Sequence, residues 1–188
     1  TLRGPEGPIY KDVSISLPAG DRLIVHGPSG SGKSALLLAI AGRMAFDAGR
    51  LRVNGFLLPQ ETNAVRKSLA LAEMRGVNDL DDDLTVDELI AERLSIQSLG
   101  LWVSRARVDP IRAELDHALA YAHDVAGLLA DEVRGDAHVS SLSPLERKLL
   151  GVVLALTEHT RVLVIDDVDD IRSSESVAMF WSALDHLL

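Results

Sequence analysis

The chain has 188 residues, sets 28 acidic side chains against 19 basic ones for a formal charge of −9, and contains no cysteine. That length fits one domain, or one domain with a subdomain. The missing cysteine excludes disulfides and cysteine-ligated metals, and the acidic balance makes the chain a poor non-specific binder of nucleic acid.

Hydrophobic residues make up 47% of the chain and aromatics only 4%, which describes a globular protein with an aliphatic core. No apolar run approaches the ~20 residues of a membrane span, and the N-terminus carries no signal-peptide pattern. Thr1 to Pro8, with its two Gly-Pro pairs, reads as turn. Val13, Ile15 and Leu17 alternate with Ser14 and Ser16, the period of a half-exposed strand. Pro18-Ala19-Gly20 turns the chain into a short apolar strand, Arg22 to His26, so a β-hairpin is expected ahead of the glycine-rich segment that begins at Gly27.

Gly27-Pro28-Ser29-Gly30-Ser31-Gly32-Lys33-Ser34 fits the phosphate-binding pattern G-x-x-x-x-G-K-[ST] at every fixed position. Ala35 to Ala41 reads as a helix leaving it. A glycine-rich turn feeding a helix N-terminus gathers backbone N–H groups around an anion, with the helix dipole aimed at it. The glycines keep Cβ atoms out of the way of phosphate oxygens. In this pattern Lys33 reaches the β- and γ-phosphates and the Ser34 hydroxyl ligates Mg²⁺.

Beyond the first helix, Leu51-Arg52-Val53 followed by Asn54-Gly55 carries a strand and hairpin signal. Leu69 to Ala72 reads as a short buried strand, and Asn78 to Asp83 as an acidic loop. Thr85-Val86-Asp87-Glu88 has the form of a capping box, opening an amphipathic helix with Leu89, Ile90 and Leu94. Pro110 is expected to open a second helix, with Ile111, Leu115, Ala118, Leu119, Ala122 and Val125 at helical spacing. Ser143-Pro144-Leu145-Glu146 combines an N-cap serine, a proline at the first helical position and a second capping box. Arg161 to Asp167 is an apolar strand ending in two carboxylates, the edge at which α/β sheets place ligands. Ser173 to Leu188 reads as a final helix.

Taken together and in this order, the motifs resemble the ATP-binding cassette (ABC) ATPase domain over about residues 8 to 172. Gly27 to Ser34 is similar to its Walker A and Val162 to Asp166 to its Walker B. Gly49 to Gly55, Leu84 to Glu88 and Leu142-Ser143 match its strand turn, its entry to the helical subdomain and the place of its signature serine. The resemblance implies an α/β P-loop NTPase: a mixed β-sheet core, an antiparallel β subdomain, and a helical subdomain at about 76 to 142. All 188 residues then form a single ABC domain that is C-terminally incomplete.

The resemblance also assigns roles. Gly27, Pro28, Ser29, Gly30, Ser31, Gly32, Lys33 and Ser34 bind ATP, joined by Ser143, which contacts the nucleotide held by a second subunit. Ser34 and Asp166 hold Mg²⁺, together with Glu73, which stands nearest the family's Q-loop glutamine. Lys33 and Asp167 are catalytic. Several departures stand out. Pro144 removes an amide donor where the family has glycine, and Glu146 replaces a neutral glutamine. Asp167 stands for a glutamate and is shorter by one carbon–carbon bond, about 1.5 Å. Alternatives stay open at three residues: Ser143 as helix cap only, Glu73 as an exposed loop acid, and Tyr10 as adenine-stacking aromatic or hairpin packing. Ser182 to Asp185 spells the family's D-loop string in the wrong place, and His186 is not its switch histidine.

The function implied is the ATP-binding subunit of an ABC transporter-type system. It binds Mg-ATP, hydrolyses it, and pairs as a homo- or heterodimer through the nucleotide sites. It drives a membrane-embedded transporter subunit from the cytoplasmic face, and nucleic acid is not expected as a partner. Two rivals are kept: an ATP-dependent dimerisation switch without useful turnover, and a non-transport ABC ATPase.

Overall fold

The computed structural model describes residues 1–5, 7–97, 105–126, 133–158 and 160–188. It divides into two compact units, Thr1–Ala70 with Thr160–Val164, and Leu71–His159 with Ile165–Leu188. The charge is split unevenly between them. The first unit carries 10 basic and 5 acidic residues, 10 − 5 = +5, and the second 9 and 23, 9 − 23 = −14.

The first unit opens with an antiparallel pair, β1 (Leu2–Gly4) and β2 (Gly7–Tyr10), in register Leu2↔Tyr10 and Gly4↔Gly7. The backbone amide of Arg3 donates to the Asp47 carboxylate at 2.6 Å, which ties β1 to the loop ahead of the second hairpin. Helix α1 (Lys33–Ile40) follows the glycine-rich loop. β3 (Leu51–Val53) and β4 (Phe56–Leu58) pair antiparallel, Val53 opposite Phe56. Asn54 and Gly55 both adopt positive φ, 48° and 87°, the geometry that a two-residue hairpin needs. Helix α2 (Thr62–Ser68) packs on β4, with Val65 and Leu58 buried. β5 (Leu69–Leu71) pairs with β6 (Val162–Val164), and the Arg161 amide donates to the Ser68 carbonyl at 3.1 Å.

The second unit is helical. α3 (Val86–Gln97) starts at the capping box read from the sequence: the Thr85 amide donates to Glu88 Oε2 at 2.9 Å and the Glu88 amide to Thr85 Oγ1 at 3.3 Å. α4 (Arg105–Ala126), α5 (Pro144–Leu156) and α6 (Ser174–Leu187) complete the set, and α4 packs on α3, α5 and α6. Their apolar stripes meet in a core that includes Ile90, Leu115, Leu149, Leu150, Leu154 and Phe180, all essentially inaccessible. The segment before α5 is stitched to the start of α3. Val86 donates to the Ala137 carbonyl, Asp87 to Gly135, and Val139 to Leu84, at 3.0, 3.0 and 2.9 Å.

Three segments differ from expectation. Residues 11–31 form no strand, although Val13, Ile15 and Leu17 alternate and Leu23 and Ile24 precede the phosphate loop. These five side chains are 40–53% exposed, and among the described residues no strand pairs with them. Alternation selects a face, but a strand also needs a ladder partner and a cover for that face. The Gly-Pro-rich start is a hairpin rather than plain turn. α4 is described over Arg105–Ala126, so Pro110 lies inside it instead of opening it. A proline inside a helix supplies no N–H to the carbonyl four residues earlier. Among the described residues the strands make three two-stranded sheets.

Candidate nucleotide site

In the first unit, Gly27 to Ser34 runs as a turn into α1, exposed except at the half-buried Gly32 and Lys33. Gly30 and Gly32 take φ of 77° and 86°, a region that a side chain disfavours. Gly32 is also hemmed in: an added Cβ would lie 2.8 Å from Ile9 Cγ2 and 2.9 Å from the Ile9 carbonyl oxygen. The loop thus rests on β2, and the glycine lets it approach. Gly32 is the N-cap of α1 and supplies no side-chain cap, so the first-turn amides of α1 keep their donors for another acceptor. Lys33 Nζ folds back over the loop, donating to the carbonyls of Gly27 at 2.8 Å and Pro28 at 3.2 Å. Ser34 is exposed on the first turn. Left-handed glycines, uncapped amides, a lysine over the loop and a hydroxyl beside it are the donor set that a polyphosphate requires, and a Mg²⁺-bound nucleotide phosphate fits it. Tyr10, at the end of β2, is half-buried. Burial, then the Asp47 charge, pushes its phenol above the ordinary value of 10.0.

The second unit holds the acidic candidates. Asp166 and Asp167 follow β6 in sequence. Asp166 is buried at 9% exposure, while Asp167 is exposed and accepts the Asp169 amide at 3.3 Å. Ser143 caps α5: Glu146 N–H donates to its Oγ at 3.3 Å, and its own N–H donates to Glu146 Oε2 at 2.7 Å, with Pro144 at the first helical position.

Glu73 is not an exposed loop acid. It is 9% exposed, its Oε1 accepts from Arg147 Nε at 2.8 Å, and Lys148 Nζ lies 3.8 Å from its Oε2. Arg147 also donates to the Leu80 carbonyl at 3.0 Å and pairs with Asp82. Burial alone would lower the Arg147 guanidinium. Its hydrogen bonds to Asp82 and Glu73 outweigh that and raise it. Sequence reasoning missed Arg147 and Lys148. The available signal was two adjacent cations in the first turns of a helix otherwise rich in Leu and Val. Among the described residues, no group of three or more His, Cys, Asp or Glu side chains is arranged to hold a metal by itself.

The loop and helix of the first unit define the phosphate-binding element of an α/β P-loop nucleotide-binding protein. Residues 10–169 match the family model described as ABC transporter, and the chain belongs to that family. It is 32% identical over 168 residues to the taurine import ATP-binding protein TauB of Pseudomonas aeruginosa, covering 88% of this chain and 55% of that protein. It is 28% identical over 191 residues to the ATP-dependent lipid A-core flippase of Dechloromonas aromatica, of which it spans 30%. A solved dimer of the ATP-binding cassette MJ0796, in a post-hydrolysis state with ADP and phosphate, matches with a TM-score of 0.69 at 20% identity, over 95% of this chain and 74% of that one. The fold is therefore the ABC-type P-loop NTPase fold. Among the described residues no helix is long and apolar enough to cross a membrane.

Proposed function

We propose that this chain binds Mg-ATP at Gly27 to Ser34, hydrolyses it slowly, and works as the ATP-binding subunit of an ABC transporter system. The observation that carries the reading is the loop itself: Gly30 and Gly32 in left-handed conformations, with α1 beginning uncapped at Lys33. Further support comes from the net charge of +5 on the unit that bears the loop, suited to a polyanion, and from family membership.

ATP, when bound with Mg²⁺, supplies the phosphoryl group whose transfer to water drives the partner. The amides of residues 30–34 and the Lys33 ammonium offset the charge on the transferred group. Lys33 must first leave the Gly27 and Pro28 carbonyls that it now holds. The Ser34 hydroxyl and the Asp166 carboxylate hold the metal. Glu73 was expected to join them, but its oxygens face Arg147 and Lys148 instead. Asp167 accepts the proton of the attacking water. A carboxylate shorter than glutamate by about 1.5 Å reaches that water less well, so turnover is slow. The chain pairs with a second cassette, the same or different, with Ser143 facing the nucleotide of its partner, and acts at the cytoplasmic face of a membrane-embedded subunit. Nucleic acid is not a partner.

One observation favours a second reading, a switch that binds ATP and dimerises without turnover: Ser143 is engaged in a closed capping box and is followed by Pro144, which lacks a backbone N–H. Steady-state ATP turnover with Mg²⁺ separates the two. Turnover that falls in both Lys33→Ala and Asp167→Asn supports the ATPase, and absent turnover with retained binding supports the switch.

A further inference from the structure

Glu73, Asp82, Arg147 and Lys148 form a closed, charge-balanced quartet of two carboxylates and two cations in the second unit. Both cations come from the start of α5. Being successive, they leave the helix about 100° apart, yet both turn to Glu73, one to each oxygen. Arg147 then continues along the segment after β5, to the Leu80 carbonyl and Asp82. Gly151, one turn further along α5, completes the fit. A Cβ there would lie 3.0 Å from Glu73 Cβ and 3.1 Å from its amide nitrogen. Helix and segment are therefore in close backbone approach at Glu73, and Ser143 lies at the capped end of the same helix, one turn before Arg147.

We propose that Glu73 is a positioning residue, which anchors α5 and the Ser143 end of it through Arg147 and Lys148, and is not a ligand of the nucleotide's metal. A second, divalent charge on this carboxylate would have to sit beside a guanidinium and an ammonium that already neutralise it. Lys148 is 5% exposed, so Glu73 is also the partner that makes its burial tolerable. The metal half of this inference rests on the Mg-ATP reading, whereas the clamp itself does not.

The experiment uses the full chain, with ATP and Mg²⁺ as probes and three readouts: Tm, the Mg²⁺ midpoint for ATP binding, and the midpoint of ATP-induced self-association. Glu73→Gln is expected to lower Tm by about 5 °C or more, because a buried ion pair loses one partner. It should raise the self-association midpoint by about fivefold or more, and move the Mg²⁺ midpoint by less than about twofold. Glu73→Gln/Lys148→Met, which removes both charges, should regain at least about half of the Tm loss and of the self-association loss. Should Glu73→Gln fail to fold, Asp82→Asn, at the more exposed end of the clamp, is expected to weaken self-association by about twofold with little change in Tm. A shift of about tenfold in the Mg²⁺ midpoint of Glu73→Gln at unchanged Tm would make Glu73 a metal ligand and overturn the proposal. So would a double variant no better than the single one. If the wild-type chain binds no ATP, the functional reading fails, and rescue of Tm in the double variant still decides the clamp.

Discussion

Arg112 lays one nitrogen, Nη1, on both carboxylate oxygens of Asp87, at 2.7 and 2.8 Å, across twenty-five residues of chain. The hydrogen bond to Asp87 pushes the guanidinium pKa further up, with burial opposing. Gly135 is the floor beneath this pair, since a Cβ there would meet both the Arg112 head and the Asp87 carboxylate closer than atoms pack. Gly135→Ala must therefore displace one partner. The expected cost is about 1–2 kcal/mol, between that of an exposed pair and a buried one. Chemical denaturation of Gly135→Ala, Arg112→Met and the double variant checks it. The double variant should cost clearly less than the sum of the two singles, and additive losses would show that the alanine acts elsewhere.

The Thr85–Glu88 box makes α3 sensitive to acid. Glu88 is held below its ordinary value of 4.5, first by the Thr85 backbone N–H and then by the Thr85 hydroxyl. A depressed carboxylate contributes stability above its unfolded value and loses it as pH falls through the lower folded value. Glu88→Gln keeps an acceptor in the box but cannot titrate. The Tm difference between wild type and Glu88→Gln should be constant from about pH 7 to about pH 5 and shrink below pH 4.5. A difference that persists through the acid range would mean that the carboxylate contributes no titrating stability to the cap.

Gly30 and Gly32 share a conformation but not an environment. Both have positive φ, yet an added Cβ is unopposed at Gly30 and collides with Ile9 at Gly32. Gly30→Ala is expected to cost about 1 kcal/mol, the backbone strain alone. Gly32→Ala should cost about 2–4 kcal/mol, because β2 or the loop must also move. It should weaken ATP binding by more than tenfold, whereas Gly30→Ala should weaken it less. Equal effects from both would locate the constraint in the loop backbone and not in its seat on β2.

Ser143 can be tested as cap and as nucleotide contact separately. Aspartate caps helices as well as serine does, so Ser143→Asp should keep Tm within about 2 °C of wild type. It would place a negative charge beside a polyphosphate if this residue faces a partner's nucleotide, and ATP-induced self-association should then be lost. Retained self-association would reduce Ser143 to its capping role.

The glycine-rich turn into α1 was legible because its residues are local: fixed glycines, a lysine and a serine within eight positions. The two capping boxes were legible for the same reason, since a cap is a bond between residues three apart. What was not legible depends on distant partners. The strand pattern of Val13, Ile15 and Leu17 could not reveal that no described strand pairs with it. The pairing of Glu73 with Arg147 spans 74 positions, and neither residue has a spacing that announces the other. Asp166 and Asp167 were found as a pair, but their difference in burial is a property of the fold.

Calorimetry of Mg-ATP binding to wild type, Lys33→Ala and Asp166→Asn decides whether Gly27 to Ser34 is the nucleotide site. Wild type should bind ATP in a Mg²⁺-dependent way. Lys33→Ala should bind at least tenfold more weakly, and Asp166→Asn should lose most of the Mg²⁺ dependence. Binding that is absent in wild type, or equal in all three, would contradict the assignment.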